Sequence, residues 1–157
     1  MRVTAKVDYA VRAAIELARA YPGDGGRPTP VTRQVIADAQ AIPAKFLEHI
    51  LADLKRSRII GSVRGADGGY WLQRPPAEIA MADIIRAVEG PLADVRGERP
   101  ESLDYPGDLE ALQRAWIAVR ANLRAVLETV SLADLAAGRL PAGIDAIAAD
   151  PEAWQIH

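Results

Sequence analysis

Residues 42–70, IPAKFLEHILADLKRSRIIGSVRGADGGY, decide the fold. They read as a helix followed at once by a tight β-hairpin. Pro43 suits the first turn of a helix, where its missing N–H breaks no intrahelical bond. At about 100° per residue, Phe46, Leu47, Ile50, Leu51 and Leu54 fall on one face, which is expected to be buried. Lys45, Glu48, His49, Ala52 and Arg56 fall on the opposite face: a cation, a carboxylate, an imidazole and a guanidinium around one small residue. Two short strands follow, Ile59–Arg64 and Tyr70–Arg74, and Gly65-Ala-Asp-Gly-Gly69 turns between them. A helix of this kind feeding a basic-tipped hairpin predicts a winged helix-turn-helix and, with it, contact with double-stranded DNA.

Upstream, Thr4 can cap a helix from Ala5 to about Tyr21, with Val7, Val11, Ala14, Ile15 and Ala18 as its buried stripe. Arg2 and Lys6 sit near its start, where cations oppose the helix dipole, a placement that suits a nearby phosphate. Beyond a Pro- and Gly-rich loop over 22–30, Thr32 caps a short helix to about Ala41, with Val35, Ile36 and Ala39 turned inward. Thr32 and Arg33, in its first turn, are candidates for the phosphate backbone. The short turn at Gln40–Pro43 then makes the pair a helix-turn-helix, whose second helix enters the major groove.

On that second helix Lys45 is a candidate for phosphate or guanine and His49 for a base or phosphate. Glu48 can accept from cytosine N4 or orient a basic neighbour. Arg56, with Lys55 and Arg58, complements the helix C-terminus. At the hairpin tip Arg64, followed by Gly65, is suited to a narrow minor groove, where the negative potential is strongest. The glycines there match neither a Walker loop nor a dinucleotide fingerprint. Trp71 should face away from Tyr70 and Leu72, which pack beneath the wing.

Met81, Ile84, Ile85 and Val88 predict a fourth helix, stopped by Gly90-Pro91, and 91–107 reads as a linker without periodicity. From Asp108 to about Ser131, Leu109, Leu112, Trp116, Val119, Leu123, Val126 and Val130 recur at alternating intervals of three and four. That heptad seam predicts a dimerisation helix and a homodimer. The expected organisation is therefore a DNA-binding domain over 1–90, the linker, a dimerisation helix over 108–135 and an acidic, partly ordered tail over 136–157.

The overall charge of −2 hides an asymmetry: 12 Lys and Arg against 7 Asp and Glu in residues 1–74, but 7 against 14 in residues 75–157. A basic module joined to an acidic one is compatible with nucleic-acid binding, which depends on the local field. With no cysteine, disulfides, zinc–thiolate sites and thiolate-held iron–sulfur clusters are excluded, so no cofactor is expected. His49 and His157 supply the only imidazoles, and no nucleophile–base pair is visible, so an enzyme is not expected. No apolar run approaches the roughly 18–20 residues needed to span a membrane, and a cytoplasmic address is expected. The rival to a DNA-binding regulator is a winged-helix module that binds a protein.

Met1-Arg-Val-Thr, Tyr9-Ala-Val-Arg-Ala, Ala41-Ile-Pro, Phe46-Leu-Glu, Ser62-Val-Arg-Gly, Gly68-Gly-Tyr and Ala87-Val-Glu-Gly-Pro stand in an order that resembles the Rrf2 family, the winged-helix regulators of the IscR, NsrR and CymR group. The likeness spans about residues 1–135. It implies a homodimer with a long helix packed across its axis, bound to palindromic promoter DNA and open to a protein or small-molecule effector. It implies major-groove roles for Lys45, Glu48 and His49 and a minor-groove role for Arg64. Cluster-binding members carry three cysteines in the segment that is Leu92–Pro106 here, and this chain has none. Asp8 resembles an extra ligand of some relatives, and without thiolates it is expected to serve structure or phosphate steering. The resemblance thus points to the cluster-free branch similar to CymR, with its link to sulfur and cysteine metabolism.

Overall fold

Thr4 opens the first helix by accepting the Val7 N–H at 3.2 Å, and α1 runs Ala5–Arg19. The computed structural model describes residues 3–23, 26 and 28–155. It continues with α2 (Arg33–Gln40), α3 (Ala44–Arg56), strands β1 (Ile60–Val63) and β2 (Gly69–Leu72), α4 (Met81–Glu89), α5 (Glu110–Leu127), α6 (Leu132–Ala136) and α7 (Ala142–Ala149). The class is the expected one, mainly helical with a two-stranded wing.

The core forms where apolar rows converge on α1. Its small residues Ala10, Ala13 and Ala14 are fully buried and let neighbouring helices approach closely. Leu47, Ile50, Leu51 and Leu54 of α3, Ile84 of α4 and Leu72 of the wing fill the space around them. Three residues expected in this core are outside it. Phe46 is 47% exposed, and its ring meets that of Tyr9 edge-on at 5.7 Å. Val35 and Ala39 are also exposed. The two-turn α2 meets the core through the buried Ile36 and the partly buried Ala37, which leaves Val35 and Ala39 to solvent.

Ala41 closes the turn between α2 and α3 in the left-handed region (φ 50°), which costs a non-glycine residue roughly 1–2 kcal/mol. The turn is held by the Ile42 N–H donating to Ala37 O at 3.0 Å. The wing pairs Ile60 with Leu72, Gly61 with Trp71, Ser62 with Tyr70 and Val63 with Gly69. Trp71 lies over Gly61, opposite in sense to Tyr70 and Leu72, as expected. Val31 adds a bridge: it and Tyr70 exchange two hydrogen bonds of 2.8 Å, tying the start of α2 to the wing. A Cβ on Gly69 would stand 2.6 Å from Val31 O, so this approach requires glycine.

Downstream the structure departs from the expected layout. The 91–107 segment is folded, with 3-10 turns at Pro100–Ser102 and Gly107–Leu109 and with Pro100 and Leu103 buried. Gln113 of α5 satisfies it by donating to Pro100 O at 3.2 Å and Leu103 O at 2.6 Å. Val130 does not extend the dimer seam. It is buried at 3% exposure, and its carbonyl accepts from Met81 N–H at 2.8 Å, while Leu132 N–H donates to Ile79 O at 2.9 Å. Leu132 then enters the core, so the unit expected to close at residue 90 takes its last core residue from α6. The tail beyond 136 is also more regular than expected, since it contains α7 and a 3-10 turn at Pro151–Trp154. The Trp154 indole donates to Ala148 O at 2.7 Å, joining the two.

Candidate nucleic-acid interface

Burial of Leu47, Ile50, Leu51 and Leu54 turns the other side of α3 to solvent, and Lys45, Glu48 and His49 are all exposed there. Arg33 of α2 reaches across, with Nη1 3.6 Å from Glu48 Oε2 and both side chains more than half exposed. The contact places a cation beside Glu48. Lys45 and His49 make no hydrogen bond or ion pair among the described residues. Arg56 turns back to Asp53 at 2.9 Å, in keeping with a role at the helix C-terminus.

The angle between α2 and α3 is braced from α1 by a cluster that spacing alone did not reveal. Arg12 donates to the backbone oxygen of Gln40 and, at 3.3 Å, to its side chain, placing a cation at the C-terminal end of α2. It also pairs with Asp8 at 3.2 Å and lies 5.6 Å from the Tyr9 ring centre. Asp8 therefore has a structural partner. The only sequence signal was an aromatic and a guanidinium at i, i+3 on the flank of the first helix.

The phosphate candidates divide. Arg33 is exposed as described, and the Thr32 hydroxyl oxygen accepts the Val35 N–H at 3.3 Å, as a cap. Arg2 lies outside the described residues. Lys6 is engaged within the chain instead: its ammonium donates to Val88 O at 2.7 Å and pairs with Asp53 at 2.8 Å. It fastens α1 to the ends of α3 and α4. The Lys6 hydrogen bond, more than the nearby charges of Lys6 and Arg56, holds the Asp53 carboxyl below its ordinary range. A depressed carboxylate stabilises the fold above the unfolded value near pH 4, and that contribution fades as pH falls further. Lys6→Ala is expected to cost about 1–2 kcal/mol in urea unfolding at pH 7. It should leave the salt dependence of DNA binding unchanged.

At the wing tip Arg64 follows the last residue of β1 and is exposed without a partner among the described residues. Gly65 takes φ 118°, and its carbonyl accepts the Gly68 N–H at 3.1 Å, closing the turn behind the arginine. On α5 the apolar row stands out to solvent: Leu109, Leu112, Trp116 and Val119 are 42, 40, 38 and 47% exposed. Leu123 and Val126 are half-buried and line a 310 Å³ cavity with Val7, Met81 and Ile85.

Residues 3–138 match the Rrf2 family, described as iron-dependent transcriptional regulators. The chain is 45% identical over 155 residues to Rv1287 of Mycobacterium tuberculosis strain H37Rv, assigned as an HTH-type transcriptional regulator, covering 99% of this chain and 93% of that one. It is 32% identical over 136 residues to the HTH-type transcriptional regulator CymR of Bacillus subtilis, covering 87% and 90%. The solved structure of B. subtilis CymR, titled the global cysteine regulator, superposes with a TM-score of 0.71 at 30% identity over 88% of this chain and 98% of that one. T. potens IscR does so with a TM-score of 0.65 at 30% identity, covering 100% and 93%. No helix among the described residues is long and apolar enough to cross a membrane.

The residues present do not fit iron held by thiolates. The chain has no cysteine, and no group of three or more His, Cys, Asp or Glu among the described residues is placed to hold a metal. In the 91–107 loop Asp94 accepts the Gly97 N–H at 2.9 Å and Glu101 is taken up by Arg120.

Proposed function

The chain belongs to the Rrf2 family of transcriptional regulators, and on that premise we propose that this DNA-binding regulator is a homodimeric repressor of palindromic promoter DNA. It is not an enzyme, and the protein-interaction module without DNA contact gives way to this reading. The observation that carries the proposal is the exposed Lys45, Glu48 and His49 row on α3, with Arg33 beside it and, on the wing, an Arg64 without a partner among the described residues.

In this reading Lys45 and His49 meet the major groove and Arg64, made free to project by Gly65, enters the adjacent minor groove. Arg33 and Thr32 lie along the phosphates. Glu48 discriminates bases, either by accepting from cytosine or by steering Arg33. The solvent-facing row of α5 supports pairing of two chains, which would set two α3 helices about 34 Å apart in successive major grooves. The donor set supports a regulator that works without a thiolate-held cluster. Likeness to CymR supports genes of sulfur and cysteine metabolism as its targets, and such a role would be carried out in the cytoplasm.

The test is titration of the purified protein against its own upstream DNA over a range of salt. Affinity should fall about 10³-fold between 50 and 200 mM salt for some six phosphate contacts. Glu48→Ala should shift base preference at one half-site position by roughly 1–3 kcal/mol and leave non-specific affinity unchanged. Binding no tighter than to bulk DNA, in that region and in a random-sequence selection, would overturn the repressor reading.

A further inference from the structure

Arg86, Arg99, Arg120 and Arg124 surround one open cavity of about 320 Å³ between α4, the 91–107 loop and α5, with the Gly90-Pro91 turn behind them. Residues 75–157 contain only seven basic residues against fourteen acidic ones, so four of the seven face one cavity in the acidic half of the chain. Like charges gathered this closely repel unless something answers them, and neighbouring carboxylates answer three of the four.

The neighbouring carboxylates set the arginines in place without using them up. Glu128 accepts from Arg124 Nε at 3.0 Å and from Arg86, while Glu101 is taken by Arg120 Nη1. Asp83 lies 3.6 Å from Arg86 and is shared with Arg74 at 3.8 Å. The Arg124 guanidinium first, and then Arg86, hold the Glu128 carboxyl down at about 2, so this clamp stays charged throughout the neutral range. A guanidinium has five N–H donors. Arg124 spends only Nε and Arg120 only Nη1 on protein acceptors among the described residues, and Arg99 makes no salt bridge there. Pre-oriented guanidinia with donors to spare are what bidentate recognition of carboxylate or phosphate requires.

We propose that this cavity binds a compact polyanion, a small molecule carrying two or more carboxylate or phosphate groups, through Arg99, Arg120 and Arg124. Resting on the repressor reading, the same site is the effector site. The cavity wall begins at Gly90, two residues beyond the Val88 carbonyl to which Lys6 is bonded, and Lys6 is in turn paired with Asp53 of α3. A ligand that draws α4 toward α5 therefore bears on α3, both through Lys6 and through the direct packing of α4 on α3.

The experiment is calorimetric titration of the full chain with sodium citrate and, separately, with inorganic phosphate, with chloride holding ionic strength constant. One citrate per chain is expected with a Kd below about 1 mM, weakened about tenfold by Arg99→Gln, which breaks no salt bridge. Arg64→Ala should leave it unchanged. Phosphate displacing citrate would support the site as one for a phosphate-bearing ligand, and citrate binding without phosphate binding would support a polycarboxylate. No heat with either anion up to about 10 mM, or binding lost in Arg64→Ala but kept in Arg99→Gln, overturns the site. Operator affinity is then measured with and without citrate: a change of about fivefold or more is expected, and no change overturns the effector role. A chain that binds no operator even without citrate refutes the repressor reading, while the calorimetry still decides the cavity.

Discussion

Replacing Trp116 and Val119 together by glutamate is expected to leave each chain folded but monomeric, and to weaken binding to a palindromic operator by about 10²–10⁴-fold. Both side chains are more than a third exposed on α5, so the core around α1 does not depend on them. The apolar area they still expose gains value when a second copy covers it, at roughly 25 cal/mol per Å² removed from water. Four carboxylates facing one another across a two-fold axis replace that gain with repulsion. The loss of DNA affinity follows because the second half-site is no longer bound as an intramolecular event. Sedimentation gives the mass and fluorescence anisotropy the affinity. A double variant that remains dimeric would move the interface off this row.

Arg64→Ala is expected to cost about 10–100-fold in operator affinity with no change in thermal stability. The side chain has no partner to lose among the described residues, so truncation removes only what it does in the complex. A charge placed in a narrow, low-dielectric groove is worth more than the same charge on an open phosphate row. The dependence of log K on log salt should flatten by about one unit. Full-strength binding by this variant would mean that the wing stands clear of the duplex.

The contrast between Arg64 and Lys6 shows what local sequence can and cannot convey. Thr4 and Thr32 were legible as caps because a cap and the N–H it accepts lie three residues apart. The α3 row was legible because one helical period separates its buried and exposed faces. Lys6 reads from its neighbours as a cation at a helix start, but its partners are Asp53 and Val88, far along the chain. Val130 continues a heptad by spacing, yet its carbonyl is claimed by Met81 and its side chain by the core. Phe46 keeps helical phase with the core yet stays 47% exposed, with its ring against Tyr9. The arginines of the cavity are drawn from α4, a loop and α5, with no common spacing to betray them. In each case the tertiary partner was what sequence lacked.

Leu132 seated against α1 has a consequence for how the protein is made. The first helix of the DNA-binding unit emerges early, but its covering residue is synthesised only after the whole of α5. At translation rates of about 5–20 residues per second, the wing and recognition helix wait roughly 2–8 seconds between residue 90 and residue 132. On the dimer reading, α5 is therefore made before the helix-turn-helix is fastened down, so a nascent chain carries its pairing surface before it has a finished grip on the genome.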